Sequence, residues 1–134
     1  MSFTDIERTY LAGQRLGRLA TVAPDGSPQN SPVGFRYNEA AGTIDIHGYS
    51  LGGSRKFRNV AATAAVSLVV DDIASVDPWR VRGLEIRGKA EAVTDEDPPA
   101  AYLSREVIRI HPRRIISWGI DPDAPRMSAR DATV

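Results

Sequence analysis

A regular alternation of side chains between residues 83 and 92 constrains the fold more than any other feature of the sequence. Apolar or small residues occupy the even positions and charged residues the odd ones: Leu84, Ile86, Gly88, Ala90 and Ala92 against Glu85, Arg87, Lys89 and Glu91. A period of two places the two sets on opposite faces of a β-strand. The pattern therefore predicts a long strand in an antiparallel sheet, with one face in a core and the charged face in solvent.

Helix signals are fewer and shorter. Thr4 and Glu7 have the spacing of a capping box, and Gly13 is a natural stop, so a helix is predicted over about residues 4–12. Ser54 is typical of the N-cap of a second helix. An acidic stretch over 94–104, which contains two prolines, favours the start of a third.

The remaining pattern is that of strands joined by tight turns. Apolar or alternating runs predict a three-stranded antiparallel meander, a fourth strand, the long strand and a last strand interrupted at a proline: 16–22, 33–37, 43–47, 66–70, 83–92 and 108–118. The tail after about residue 121 is polar and is expected to be loosely packed. We therefore predict one mainly β domain over 1–134, a closed or half-closed antiparallel barrel with short helices at its corners.

Composition excludes several classes of function. The chain has 134 residues, no cysteine and equal numbers of basic and acidic residues, 17 of each. The absence of cysteine excludes a disulfide scaffold, a thiolate zinc site and a cysteine nucleophile. A zero net charge argues against nucleic-acid binding. No secretory segment and no apolar run near 18 residues is visible, so the expectation is a cytoplasmic protein without a membrane partner.

Catalytic side chains are scarce. His47 and His111 are the two histidines, and the sequence places no acid where it would orient either imidazole. A Ser-His-Asp triad and a metal site are therefore unsupported, and both histidines have an ordinary interpretation as strand-end residues. We expect no catalytic side chain and no metal.

A glycine-bearing loop before the second helix is the best candidate for a ligand site. The segment runs from Gly48 into Ser54, and Arg55, Lys56 and Arg58 crowd the first helical turn. Basic residues have the wrong sign for a helix N-terminus, whose free amides attract anions, so a phosphate or carboxylate could complete it. A solvated basic face is the alternative. The basic residues are nearly all Arg, which either favours anionic ligands or reflects a GC-rich genome.

Four segments resemble a known family in their order and spacing. They are Leu19-Ala20-Thr21-Val22 with Ser31-Pro32-Val33-Gly34-Phe35; Lys56-x-x-Asn59 followed by Ala65-Val66-Ser67-Leu68; Gly83-Leu84-Glu85-Ile86-Arg87-Gly88-Lys89-Ala90; and His111-Pro112-Arg113-Arg114 with Ser117-Trp118-Gly119. Together they resemble the pyridoxamine 5′-phosphate oxidase-like split β-barrel proteins of the FMN-binding type. The length and tail are most similar to the actinobacterial branch that uses the deazaflavin coenzyme F420.

The resemblance implies a homodimer of Greek-key-like split barrels with two cofactor sites at the subunit interface. It implies that Lys56 lies on the cofactor phosphate, with Arg55 assisting and Asn59 and Ser54 nearby. It also implies a surface alongside the ring, formed by Ala20, Thr21, Val22, Pro32 and Val33. The substrate residues of true pyridoxamine phosphate oxidases are not matched, so that reaction is not expected.

Trp79, just before the long strand, is the aromatic residue that best suits a ligand-facing position, although core or interface roles are the alternative. The leading hypothesis is an oxidoreductase that transfers a hydride between reduced F420 and a small organic acceptor. The alternatives are an FMN-dependent reductase or oxidase on the same barrel, and a non-catalytic flavin-, F420- or haem-binding protein.

Overall fold

The structure is a computed structural model that describes residues 2–124 and 126–132. The described residues form two α-helices and eight strands, all paired antiparallel. In chain order they are α1 (Asp5–Ala12), β1 (Leu16–Val22), β2 (Pro28–Gly34), β3 (Arg36–Asn38), β4 (Thr43–Ile46), α2 (Arg55–Thr63), β5 (Ala65–Ser75), β6 (Arg80–Val93), β7 (Val107–Trp118) and β8 (Met127–Asp131).

The strands form one sheet in the order β2-β1-β5-β6-β7-β4-β3, and β8 pairs with β7. β2 and β3 occupy the two ends of this order, yet only Phe35 separates them in the chain. The sheet must therefore curl until its ends meet, which produces a half-open barrel. The prediction of a mainly β split barrel is confirmed.

The predicted three-stranded meander is wrong in detail. β2 pairs with β1, and β3 pairs with β4, but β2 and β3 do not pair with each other. The alternation through Val33, Phe35 and Tyr37 continues across this break, so the side-chain pattern alone could not reveal it. The chain changes sheet edge at Phe35 and so begins a second hairpin.

The core lies inside the curl and is built from the inward-facing residues of the long strands. Leu68, Val70, Leu84, Ile86 and Ile110 are among the side chains with no exposed area. The predicted inner face of β6 is confirmed, because its apolar positions are those that are buried. Burial of this kind contributes about 25 cal/mol per Å² of apolar surface and is the main stabilising term of the barrel.

Helix α1 packs on the barrel at the β5–β6 hairpin. Its capping box is present as predicted: Thr4 accepts from the Glu7 amide, and the Glu7 carboxylate accepts from the Thr4 amide. The Tyr10 hydroxyl donates to Asp72 Oδ1 at 2.7 Å, and Arg82 binds both oxygens of that carboxylate. These contacts leave the Arg82 charge neutralised by the fold itself.

Two other predictions need correction. Residues 94–104 form no helix, because Pro98 and Pro99 lack amide hydrogens and Arg105 draws in the Asp95 and Asp97 carboxylates at 2.6 and 2.9 Å. Part of the tail is also more ordered than expected, whereas the prediction for residues 125, 133 and 134 lies outside the described residues. Met127–Asp131 form β8, whose Arg130 donates to the buried carboxylate of Glu7 on α1. Neither long-range partner is visible in a local sequence pattern.

A buried charged cluster joins β4 to β7. The Asp45 side chain is fully buried and accepts both Nε and one terminal nitrogen of Arg109, at 3.1 and 3.0 Å. Asn38 and Thr43 donate to the same carboxylate, each at 2.9 Å. Burial acts to raise the pKa of Asp45, but these hydrogen bonds outweigh it and hold the pKa below its usual value.

Candidate functional site

The first turn of α2 carries cations as the sequence predicted. Hydrogen bonds fix the loop that precedes it. The Ser54 hydroxyl accepts from the Phe57 amide and donates to the Leu51 carbonyl at 2.6 Å, so it acts as the N-cap. Ser104 and Glu106 bind the amides of Leu51 and Gly52 at 3.1 and 3.0 Å. The fold therefore fixes the loop before the first turn of α2 without using the basic side chains.

Two of those basic side chains carry no ion pair within the described residues. Arg55 is exposed and Lys56 is half-buried, and neither forms a salt bridge with a described carboxylate. Arg58 differs, because its guanidinium donates to the Gly53 carbonyl at 2.8 Å. Arg55 and Lys56 thus remain available to an anionic ligand.

Asn59 has a structural position. Its side chain is 4% exposed, and its amide nitrogen donates to Thr21 Oγ1 at 3.1 Å. Thr21, itself 1% exposed, donates to Gln29 Oε1 at the same distance. The chain Asn59–Thr21–Gln29 ties α2 to the β1–β2 hairpin, so neither the Asn59 amide nor the Thr21 hydroxyl is free for a cofactor in this arrangement.

Because side chains alternate along a strand, the residues predicted to face the ring lie on two different faces of the sheet. Ala20 and Val22 lie on the outer face of the sheet, and Pro32 shares that face because its register partner is Arg18. Thr21 and Val33 point into the barrel, and Val33 belongs to the core with 6% exposure. The expectation of a single ring-facing surface is therefore corrected for Thr21 and Val33.

The outer-face residues of β1 line a groove that continues across β5, β6 and β7. Its volume is about 420 Å³, and it is lined by small or apolar residues and by three cations: Ala20, Val22, Ala65, Val66, Ser67 and Gly88, with Arg87, Lys89 and Arg113. The long alternating segment predicted a solvated charged face here. That prediction is confirmed, because Arg87 and Lys89 are exposed. These cations and Arg113 also border a groove whose remaining lining is small or apolar.

A β-bulge brings Arg113 into this groove. Arg87 pairs with Arg114 and Gly88 pairs with Pro112, so Arg113 is the extra residue on β7. A Cβ on Gly88 would lie 2.1 Å from the His111 carbonyl oxygen, which means that only glycine allows the strands to approach this closely. Bulges re-aim side chains beside functional sites, and here Arg113, the extra residue, lines the groove together with Lys89. Local sequence reasoning missed this residue, since the interruption was attributed to Pro112 alone.

The three cations of the groove differ in their partners. Arg87 Nε donates to Glu85 Oε2 at 2.7 Å, and the Ser67 hydroxyl donates to the same oxygen at 2.9 Å. The Arg87 hydrogen bond lowers the pKa of Glu85, so this carboxylate is ionised at neutral pH. Lys89 and Arg113 form no ion pair with any carboxylate of residues 2–124 and 126–132. The rim therefore carries uncompensated positive charge.

Trp79 lies far from the groove within one chain. It is 64% exposed in the turn between β5 and β6, and ten residues of extended β6 separate it from Lys89, a span of about 33 Å. Around it, several large apolar side chains are exposed on the same part of the molecule: Leu16, Ile73, Val76, Val81 and Met127. The structure does not bring Trp79 together with the other predicted site residues in a single copy.

The two histidines occupy different environments. His111 is about half exposed and contacts the Glu91 carboxylate, a partner that the sequence did not reveal. Both ring nitrogens of His47 are buried without a hydrogen-bond partner among the described residues. Burial, followed by the charge of Arg36, lowers the pKa of His47 below its usual value. Neither residue lines the groove.

Two kinds of feature are absent from the described part of the chain. No group of three or more His, Asp or Glu side chains is placed to hold a metal ion. No helix has the length and apolar character needed to cross a membrane.

The chain is similar to several known proteins. A curated relative from Streptomyces rimosus, the 5a,11a-dehydrotetracycline/5a,11a-dehydrooxytetracycline reductase, is 49% identical over 135 residues, which cover 99% of this chain and 95% of the relative. A solved structure described as an F420 reductase is 28% identical, with a TM-score of 0.58 over 76% of this chain and 89% of that one.

A haem-binding protein from Mycobacterium smegmatis shares the fold at 19% identity and a TM-score of 0.68. The match covers 92% of this chain but only 55% of that protein. The family model for pyridoxamine 5′-phosphate oxidase matches residues 3–133, nearly the whole sequence. The chain therefore belongs to the pyridoxamine 5′-phosphate oxidase family.

Proposed function

We propose that this protein is a reductase that transfers a hydride from reduced coenzyme F420 to an unsaturated polycyclic acceptor of the dehydrotetracycline type. The observation that carries the proposal is the groove, which combines a small or apolar lining with a basic rim. The reductase relative at 49% identity over nearly the full length supports oxidoreductase chemistry and this class of acceptor. The neighbouring F420 reductase supports the cofactor.

The residues present fit a cofactor with a flat ring system and an anionic chain. Ala20, Val22 and Ala65 offer an apolar surface without protruding side chains, on which a planar ring would lie with little loss of conformational entropy. Arg55 and Lys56 at the start of α2 would hold the phosphate, because free helix amides and cations there attract anions. Ser54 supports this role by fixing the loop, and Pro32 extends the outer face beside Arg18.

When bound, reduced F420 supplies the hydride, and the protein supplies position and exclusion of water. The lining of the groove contains no histidine and no acid. Two carboxylates of β6 flank the groove residues. Glu85 is held ionised by Arg87 and Ser67, so it is poorly suited to donate a proton, and Glu91 contacts His111 outside the groove lining. We therefore assign no catalytic acid to this chain, and water provides the proton that completes reduction of the acceptor double bond.

The proposal includes a homodimer with cofactor sites at the interface. The outer face of the sheet exposes Leu16, Ile73, Val81 and Met127 by 43–64% of their areas, which is unusual for a lone soluble barrel. A second copy packed on this face would bury that surface through a two-fold interface. Trp79 then has a role as a residue that one subunit contributes to the site of its partner, since it is remote from the groove of its own chain.

The experiment is reduction of 5a,11a-dehydrotetracycline by the purified protein with reduced F420. We expect oxidation of the cofactor, followed by its absorbance, and a product heavier than the acceptor by two hydrogens. If the protein is purified with bound FMN and performs the same reduction with a flavin, the F420 assignment is wrong and the reductase assignment stands. A protein that binds F420, FMN or haem but reduces no such acceptor would be a carrier, and the reductase proposal would be wrong.

A further inference from the structure

His47 lies at the junction between the buried charged cluster and the loop that leads into α2. It follows β4 directly, two residues after Asp45, and Gly48 begins the loop of residues 48–54. The residue is half-buried, but both nitrogens of its imidazole are buried and have no hydrogen-bond partner among the described residues. Buried polar atoms are rarely left in this state, so the position of this ring needs a physical explanation.

The charges around His47 leave no place for a proton on its ring. They belong to Arg36 on β3, Asp45 on β4, Glu96 between β6 and β7, and Arg109 on β7. Both carboxylates already accept hydrogen bonds from Arg109. Burial, followed by the charge of Arg36, lowers the pKa of the imidazole. A protonated ring would have two N–H donors and no acceptor in this part of the described chain, so it is stable only where water reaches it.

The loop of residues 48–54 offers the ring a path to water. On the other side of His47, β4 is buried along its whole length. The loop is held by polar contacts instead: the Ser104 amide and hydroxyl donate to the Gly48 carbonyl at 2.8 and 3.0 Å, and Glu106 accepts from the Gly52 amide at 3.0 Å. Local opening occurs first where few apolar contacts are lost, so the loop yields before the strand.

Opening of this loop would disturb the start of α2. Ser54, the last residue of the loop, donates to the Leu51 carbonyl at 2.6 Å and accepts from the Phe57 amide. Displacement of Leu51 therefore removes a contact that fixes the N-cap. Arg55 and Lys56 follow the N-cap directly, so their positions depend on the loop.

We infer that His47 is a positioning residue, whose neutral imidazole allows the loop of residues 48–54 to stay closed, and that a proton on the ring opens the loop and weakens anion binding at the start of α2. The effect on the cofactor rests on the proposed function, in which Arg55 and Lys56 hold its phosphate. The effect on the loop does not depend on the cofactor.

The direction of the pH dependence follows from linkage. Closure is fully favoured above pH 6.5, the ordinary pKa of a solvated histidine, and is lost as the pH falls toward the lower pKa of the closed protein. The coupling is reciprocal, so a ligand that holds the loop closed must also make the ring harder to protonate.

The test is hydrogen exchange of the purified protein, followed by mass spectrometry between pH 7 and 5. Exchange of the amides of residues 48–54, corrected for the intrinsic rate at each pH, gives the opening constant of the loop. His47→Leu removes the titration, and it breaks no hydrogen bond to a described residue, because the ring nitrogens have no partner there. His111→Leu is the matched control, since His111 is the other histidine and is about half exposed. F420 affinity is measured by calorimetry on the same preparations.

We expect the opening constant of the unmodified protein and of His111→Leu to rise roughly three- to tenfold per pH unit below pH 6.5, because one linked proton changes an equilibrium by at most tenfold per unit. In His47→Leu it should stay within about twofold. The ratio of F420 dissociation constants, unmodified protein over His47→Leu, should rise by roughly two- to fivefold from pH 7 to 5. Saturating F420 should suppress the pH dependence of loop exchange.

Two outcomes would overturn the role of His47. The same pH dependence of loop exchange in His47→Leu would assign the effect to another titrating group. An F420 affinity that strengthens on acidification in the unmodified protein, but not in the variant, would mean that the charged imidazole attracts the anion directly.

Two further measurements keep the result decisive. If His47→Leu does not fold, His47→Gln and an NMR titration of the unmodified protein take its place, and an imidazole that titrates at about pH 6.5 would show that the ring is already solvated. A protein that binds no F420 at any pH, yet opens its loop as expected, would overturn the proposed function and leave the role of His47 in the loop intact.

Discussion

Two charged clusters on β7 and its neighbours differ in how far the fold neutralises them. Around Asp45 and Arg109, every charge has a partner in the same chain, and the carboxylate accepts four hydrogen bonds. A few residues further along β7, Arg113 lines a groove with Lys89, and neither has a carboxylate partner in the described part of the chain. All charges of the first cluster are paired within the fold, so this cluster contributes to stability. The second is incomplete, so it is suited to a ligand.

The cost of disturbing each cluster should differ in kind. Replacing one member of a buried, hydrogen-bonded ion pair leaves the other charge buried and unpaired. Removing a cation that has no partner relieves its repulsion with neighbouring cations and leaves no buried charge unpaired. Stability measurements and binding measurements should therefore separate the two clusters cleanly.

The largest expected effect is that of Arg109→Ala. It leaves the fully buried Asp45 carboxylate without its main donor, and we expect a loss of about 3–5 kcal/mol in the free energy of unfolding, measured by urea denaturation. Arg113→Ala, four residues away on the same strand, should cost less than about 1 kcal/mol. Equal destabilisation by both changes would mean that the groove cations are structural and that the contrast between the clusters is wrong.

Lys56→Glu should have the second-largest effect, and this effect should be on cofactor binding and not on folding. Charge reversal beside a bound phosphate removes an attraction and adds a repulsion, so F420 affinity should fall by about 2–4 kcal/mol. Thermal stability should hardly change, because an acidic residue suits a helix N-terminus. Arg80→Glu controls for the change in net charge. A lower melting temperature with unaltered cofactor affinity would make Lys56 a structural residue.

Tryptophan at Ala20 or at Val33 tests which face of the hairpin binds the ring. Val33 is packed in the core, so Val33→Trp should destabilise the protein by roughly 1–3 kcal/mol through overpacking. Ala20 lines the groove, and Ala20→Trp should leave the urea midpoint nearly unchanged while it lowers cofactor affinity at least tenfold, roughly 1.4 kcal/mol. If Ala20→Trp instead destabilises the protein and leaves cofactor affinity normal, the ring does not bind on the outer face.

Local patterns predicted the elements of this fold better than their arrangement. The capping box of Thr4 and the alternation through β6 depend on neighbouring residues, and both are confirmed. The break at Phe35, the strand β8 and the ion pair of Glu7 with Arg130 depend on partners that are distant in sequence. No periodicity encodes those partners.

The candidate site shows the same division. The cations at the start of α2 were predictable, because a basic first turn conflicts with the helix dipole. The groove was not, because Arg87 and Lys89 have the pattern of a solvated face and only strand register places them beside Ala20 and Arg113. The available signal was the pair of consecutive arginines directly after Pro112, but which of them enters the groove depends on the bulge.

The pH dependence of stability should show two separate windows. The folded pKa of His47 lies below that of the unfolded chain, so its contribution is complete above pH 6.5 and is lost as the pH falls toward the folded value. The pKa of Asp45 is also lowered, but its contribution is complete above pH 3.8 and is lost only below that. Urea unfolding of the protein and of His47→Asn between pH 7 and 5 should show a flatter profile in the variant. The same slope in both would show that His47 stays solvated.

The smallest expected effect is that of His111→Ala, which tests whether the edge of the groove holds a hidden acid. His111 lies opposite Lys89 in the register, and its imidazole contacts Glu91. Both side chains of that pair are about half exposed, so the change in stability should stay below about 1 kcal/mol. Because His111 does not line the groove, the rate of hydride transfer with cofactor bound should remain close to that of the unmodified protein. A loss of more than a hundredfold, roughly 2.7 kcal/mol of barrier, would make the His111–Glu91 pair a proton source. The groove would then resemble the Asp45 cluster in using charges from its own chain, and a mechanism that takes its proton from water would be wrong.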